Sequence, residues 1–174
     1  MDKVGEAVGL AWSPHGSQLV HLSASVAPGK GKIHIQGEIG YEALASIETA
    51  IESLKFLYGI STEDLTLSIK IDEPLEGPSA GLALLVAIYS AINNLPVDQS
   101  AAITGVVTNK GRVHSVMKIT EKVALARDKG LKGIVIPSEN LYGQRPSLDF
   151  GEMWVCPVAR AQDAVSIVVA NTGR

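Results

Sequence analysis

Ala80-Gly81-Leu82-Ala83-Leu84-Leu85-Val86-Ala87-Ile88-Tyr89-Ser90-Ala91-Ile92 decides the fold, because it is apolar almost all the way round. A helix tolerates that pattern only when other elements cover every side, so this stretch is predicted to be the central helix. Its most apolar part, Gly81 to Ile92, is shorter than the roughly 20 residues that cross a bilayer, which argues against a membrane span. Upstream, beyond a loop from Asp72 to Pro78, Leu65, Leu67, Ile69 and Ile71 alternate with Thr66, Ser68 and Lys70, as a half-buried strand does. Before that, Leu44, Ile47, Ile51, Leu54 and Tyr58 recur at helical spacing, predicting a helix from Tyr41 with these five on its inner stripe and Gly59 as its stop. The first quarter reads as strands. Ala7 to Trp12 and Gln18 to Val26 form an antiparallel pair across Ser13-Pro14-His15-Gly16, with Val20, Leu22, Ala24 and Val26 on one side. A short strand, Lys32 to Gln36, follows the punctuation Pro28-Gly29-Lys30-Gly31.

Downstream of the central helix, Ala101 to Thr108 and Arg112 to Val116 flank an Asn109-Lys110-Gly111 turn. A helix from about Ile119 to Lys129 stops at Gly130, Gly133 to Pro137 and Trp154 to Val158 are strands, and Gln162 to Ala170 closes the chain as a helix. Strands first, then helices interleaved with strands, predict an α+β fold in which helices pack on a mixed sheet. No repeat, low-complexity tract or linker divides residues 1–174, so a single domain is expected.

With 174 residues, 46% hydrophobic and 19% charged, the chain can bury a sizeable core, which excludes disorder, collagen and coiled coil. Lys+Arg 15 against Asp+Glu 18 are interleaved to a net −3, so no basic face invites nucleic acid or anionic lipid. Cys156 is the one cysteine, and no Cys/His cluster has metal-site spacing, so neither a disulfide nor a structural metal is expected. Met1 to Leu10 lacks a signal-peptide layout, and a cytoplasmic location is expected.

Chemistry concentrates at Glu76-Gly77-Pro78-Ser79-Ala80-Gly81, where a constrained turn delivers a serine to the first turn of the central helix. Unpaired N–H groups and the helix dipole favour an oxyanion there. From that local feature alone the plainer reading is that Ser79 caps the helix, a role serine often takes. Gly77 and Gly81 are small enough to let a substrate backbone come close. A nucleophilic serine needs a base. His21 and His34 lie mid-strand, His15 and His114 lie in or beside turns, and no orienting acid is evident for any of them. Lys122 falls among Ile119, Val123, Leu125 and Ala126, which points its amine toward the apolar side of its helix. Desolvation lowers a lysine's pKa and turns it into a neutral base, although a lone lysine more commonly snorkels to water. Lys118 and Lys129 can escape at the helix ends. Cys156 reads as a buried strand residue with no base, and Trp12 and Trp154 as core or interface packing.

Val8-Gly9-Leu10-Ala11-Trp12, Pro28 to Lys32, Glu76 to Gly81, Thr104-Gly105, Gly111-Arg112-Val113, Glu121-Lys122 and Ile136-Pro137-Ser138-Glu139-Asn140 together resemble the proteolytic domain of Lon proteases, in order and in spacing. The resemblance covers nearly the whole chain. That family's serine lies in Asp/Glu-Gly-Pro-Ser-Ala-Gly and its lysine follows 43 residues later, as Ser79 and Lys122 do here. It implies a Ser-Lys dyad hydrolase, with Thr104 at the position that holds the lysine and Glu76 at the acidic position before Gly77, Pro78 and the serine. It also implies unfolded polypeptide substrates, a hexameric homo-oligomeric ring and coupling to an AAA+ ATPase domain or subunit. No G-x-x-x-x-G-K-[ST] phosphate loop occurs, so ATP and Mg are expected only on a separate ATPase. One departure stands beside the lysine. The family writes two glycines where this chain has Met117 and Lys118, so a stiffer junction and a narrower groove are expected. The competing class is a catalytically weak or inactive Lon-like oligomerisation scaffold; the joint presence of Ser79, Lys122 and Thr104 argues against it. A small-molecule kinase relative would need a glycine-rich phosphate loop.

Overall fold

A computed structural model describes residues 1–13, 15–142 and 148–170. In chain order the elements are β1 (Lys3–Val4), β2 (Glu6–Ser13), β3 (Gly16–Pro28), β4 (Ile33–Gln36), α1 (Tyr41–Tyr58), β5 (Leu65–Ile71), α2 (Gly81–Asn93), β6 (Pro96–Val97) and β7 (Ala101–Ile103). There follow β8 (Val106–Val107), β9 (Val113–His114), α3 (Ile119–Asp128), β10 (Gly133–Pro137), β11 (Trp154–Val158) and α4 (Ala161–Val168). Single 3-10 turns stand at Pro78–Ala80 and Ser138–Leu141. The fold is α+β, as expected.

The main sheet runs β11-β10-β7-β2-β3-β5-β4. Its middle is antiparallel through β2, β3 and β5, while β7, β10 and β11 are parallel to one another, β7 is parallel to β2, and β4 is parallel to β5. Strand alternation sorts side chains to two cores. Ala7, Ala11, Ile103 and Val135 face a layer built by α1, α2 and α4. Leu10, Ala102, Ile134 and Ile136 instead join Ile119, Val123 and Ala126 of α3. Burial on both faces is why Gly133–Pro137 has no exposed position. The predicted central helix is buried from Gly81 through Ile88 and lies against β2, where a Cβ on Gly9 would stand 3.3 Å from that of Ala83.

Three expectations need correction. On α1, Leu44 is 40% and Tyr58 37% exposed and Ile51 is half-buried, while Ala43, Ser46, Ile47, Ala50, Ser53 and Leu54 form the buried face. Small residues at four of those six positions let α1 lie close against α2, and Leu44 turns outward while Ile47 and Leu54 stay inside. Ala101 to Thr108 is not one strand: it breaks at Thr104-Gly105, and β8 leaves the sheet to pair with β9. The backbone turns there because Gly105 N–H bonds to the Ser79 carbonyl at 3.0 Å and Gly105 C=O accepts from Leu82 N–H at 3.1 Å. Cys156 is half-buried rather than buried. The β2–β3 ladder extends to Ser13 opposite Gly16, and Pro14 of the expected turn lies outside the described residues. Trp12 and Trp154 are each about two-fifths exposed, and Trp154 lies across Gly133.

Candidate active site

Ser79 sits in the 3-10 turn that Pro78 opens at the entrance to α2. It is 6% exposed, and its hydroxyl, shielded from solvent, makes no hydrogen bond among the described residues. The capping role is therefore absent: neither the 3-10 turn nor α2 has a side-chain cap bond. Gly77 is extended, and a Cβ on it would meet nothing within 4 Å, so the strip leading to Ser79 is open at that point. Gly81 differs from expectation, since its Cβ direction faces Val107 at 3.2 Å and serves packing rather than approach. The Glu76 side chain is exposed, and its carbonyl accepts from Ala43 N–H at 3.1 Å, tying the serine loop to α1.

Thr104 is wholly buried at the carboxyl end of β7. Its Oγ1 lies 3.2 Å from the Leu10 carbonyl and 3.4 Å from the Ser79 carbonyl, so one hydroxyl joins β2 to the serine turn. A hydroxyl that donates to a carbonyl keeps lone pairs for an amine donor. Through Leu10 this contact reaches the core beneath α3, where Lys122 occupies a position of the buried stripe with Ile119, Val123 and Ala126. At 1% exposure Lys122 does not snorkel. It forms no ion pair among the described residues; burial pushes its pKa down to about 8, while neighbouring Glu121 partly opposes the shift. At pH 8 about half of such lysines are neutral, against roughly one in three hundred at the ordinary value.

Two histidines do have acids, contrary to the sequence reading: His21 Nδ1 lies 3.1 Å from Asp72 and His114 Nδ1 lies 2.8 Å from Glu139. Both pairs are exposed and depend on side chains far apart in sequence, a signal no local pattern carries. Among the described residues no group of three or more His, Cys, Asp or Glu is disposed to hold a metal, and no helix is long and apolar enough to cross a membrane.

A buried serine and a buried lysine, the one unbonded and the other without an ion pair among the described residues, accompany a match of residues 1–146 to the Lon protease (S16) C-terminal proteolytic domain. The chain belongs to that family. It is 30% identical, over 99% of its own length, to the Lon protease of Buchnera aphidicola subsp. Schizaphis graminum, and 34% identical over 79% to Lon protease 1 of Thermus thermophilus. Against the Lon protease of Escherichia coli K12 the identity is 29% over 98%. The chain spans 24%, 18% and 23% of those three relatives, so it corresponds to one part of each. Membership makes it a proteolytic domain of the serine-peptidase type.

Proposed function

We propose that residues 1–174 form one endopeptidase domain that cleaves unfolded polypeptide by acyl transfer, with Ser79 as nucleophile and Lys122 as general base. Neutral Lys122 Nζ takes the Ser79 proton as Oγ attacks the peptide carbonyl, and backbone N–H groups around Ser79 hold the oxyanion. Collapse breaks the C–N bond, and the ammonium returns its proton to the departing amine. Water, deprotonated by the same amine, then attacks the acyl-serine, and as the C–O bond breaks the ammonium returns its proton to Ser79 Oγ. Thr104 orients the serine turn and the lysine, Pro78 fixes the turn, Gly77 gives the substrate room, and Glu76 anchors the loop through its backbone. This chemistry needs no cofactor. ATP and Mg belong to the AAA+ ATPase domain or subunit that unfolds substrate, and identical copies assemble into a hexameric ring. The lone Cys156 suits a reducing compartment, and the cytoplasm is the proposed location.

The observation that carries this reading is a buried lysine that makes no ion pair among the described residues. A scaffold has no use for an amine that destabilises its own fold, whereas a base with a pKa near the working pH requires such a site. The test is cleavage of casein or a fluorogenic peptide. Ser79→Ala and Lys122→Ala should each abolish turnover, and the double variant should be no worse, because groups acting as a unit are not additive. Wild-type turnover by Ser79→Ala would refute the assignment.

A further inference from the structure

Between β9 and α3 the chain crosses Ser115 to Lys118 without entering a helix or a strand. β9 pairs with β8 only through Val113 and His114, so the next backbone groups need other partners. Two consecutive side chains of the Ser138–Leu141 turn supply them. Ser115 N–H donates to Glu139 Oε2 at 2.9 Å, and Val116 N–H donates to Asn140 Oδ1 at 3.0 Å. Asn140 Nδ2 donates back to the Val116 carbonyl at 3.0 Å, so the carboxamide stands opposite Val116 as a neighbouring strand's peptide group would. The other oxygen of Glu139 lies 2.8 Å from His114 Nδ1, and hydrogen bonding to His114, then to Ser115 N–H, holds the carboxyl below its usual range.

Two residues past this clamp, Lys118 has φ 60 and ψ 36, the left-handed region that residues with side chains rarely adopt. Its carbonyl accepts from Lys122 N–H at 3.0 Å, so the peptide that starts α3 is the one that fixes Lys122. The turn supplying the clamp follows β10 directly, and β10 shares a core with α3 through Ile134 and Ile136. The contacts therefore close a ring from α3 through β10, Glu139 and Asn140 to Lys118 and back.

We propose that Glu139 and Asn140 are positioning residues for Lys122, holding Lys118 left-handed and thereby keeping the lysine amine in its buried place. The inference rests on the base assignment above, and its test separates the two. Lys122 is titrated directly by following its side-chain nitrogen by NMR, alongside peptide kinetics, in the wild-type chain and in Asn140→Ala. Glu121 is the charge that acts on this amine, and it is unchanged in both. Wild type should titrate near 8. Asn140→Ala should titrate about one unit or more higher as the amine gains water. Its kcat should fall about tenfold with KM little changed, the signature of a misplaced catalytic group. Adding Lys118→Gly to Asn140→Ala should restore most of both losses, because glycine adopts the left-handed conformation unaided. If Asn140→Ala does not fold, Glu139→Ala, at an exposed position, removes the Ser115 anchor and the His114 contact but leaves the Asn140 bonds, and should shift both readouts in the same direction. A wild-type value near 8 with Asn140→Ala unchanged in titration and kcat overturns the clamp alone. So does a loss that Lys118→Gly fails to recover, which would mark Asn140 as merely structural. A wild-type value near 10.5 overturns the base assignment and this inference with it.

Discussion

Replacing Lys122 by Met should stabilise the fold near neutral pH by an amount that pH itself titrates away. The amine has a pKa of 10.5 in the unfolded chain and about 8 in the fold, and burial is the cause. At 1.36 kcal/mol per unit, burying the protonated amine costs about 3 kcal/mol below pH 8, and less as pH rises above it. The sign follows from proton counts. Between pH 8 and 10.5 the unfolded chain binds a proton that the folded chain has released, so wild-type stability climbs across that window. Below pH 8 both states are protonated, and the full penalty persists. Lys122→Met has no such climb, and its unbranched side chain refills the same slot. The difference between the two chains should be about 3 kcal/mol at pH 7, apart from a constant packing offset, and should vanish by about pH 10.5. Tyr58 acts oppositely at higher pH. Burial, with Tyr89 and Asp163, pushes its pKa up to about 12, so stability falls as pH rises from 10 to 12 in both chains and cancels in the comparison. Urea unfolding followed by tryptophan fluorescence, at half-unit steps from pH 6.5 to 11, measures the difference. A value constant from pH 7 to 10.5 would mean that the ammonium reaches water, and the burial argument would fail.

The rate of peptide cleavage should rise with pH along a limb centred near 8, set by deprotonation of Lys122, and a limb near 10.5 would contradict a desolvated base. Gly133→Ala should lower stability by about 1–3 kcal/mol, read as a fall in Tm of several degrees, because the new Cβ would stand 1.8 Å from the Trp154 ring and displace it.

Sequence pattern placed several strands well, by alternation where one face is wet and by a short bounded apolar run where both are dry. Leu65–Ile71 follows its alternation to the residue, and Gly133–Pro137 and Trp154–Val158 have the expected bounds. It misplaced the inner face of α1, because a count of large apolar residues favours Leu44 and Ile51, whereas close contact with α2 favours Ala43, Ala50 and Ser53. Helix packing rewards small residues that no hydrophobic scale marks. The strand break at Thr104-Gly105 was equally hidden: its cause is hydrogen bonds to Ser79 and Leu82, more than twenty residues away.

The site divides along the same line. Ser79 and Lys122 were singled out by the family resemblance, because locally a serine at a helix entrance reads as a cap and a lone lysine as one that snorkels. The structure removes both plainer readings: among the described residues the serine takes no cap bond, and the lysine is buried without an ion pair. Glu139 and Asn140 break no local rule, since polar residues in a turn after a strand look like any solvated loop, and only the backbone of Ser115 and Val116 reveals what they hold. Lys118 joins the two levels. A left-handed lysine costs about 1–2 kcal/mol, and a buried amine four residues later costs more. Two unfavourable features one helical turn apart persist only where surrounding contacts over-determine them, and the concentration of side-chain bonds on Ser115 and Val116 supplies that determination. Local strain and polar clamp thus act on one short segment, and under the proposal above that junction holds the lysine in the core whose burial lowers its pKa.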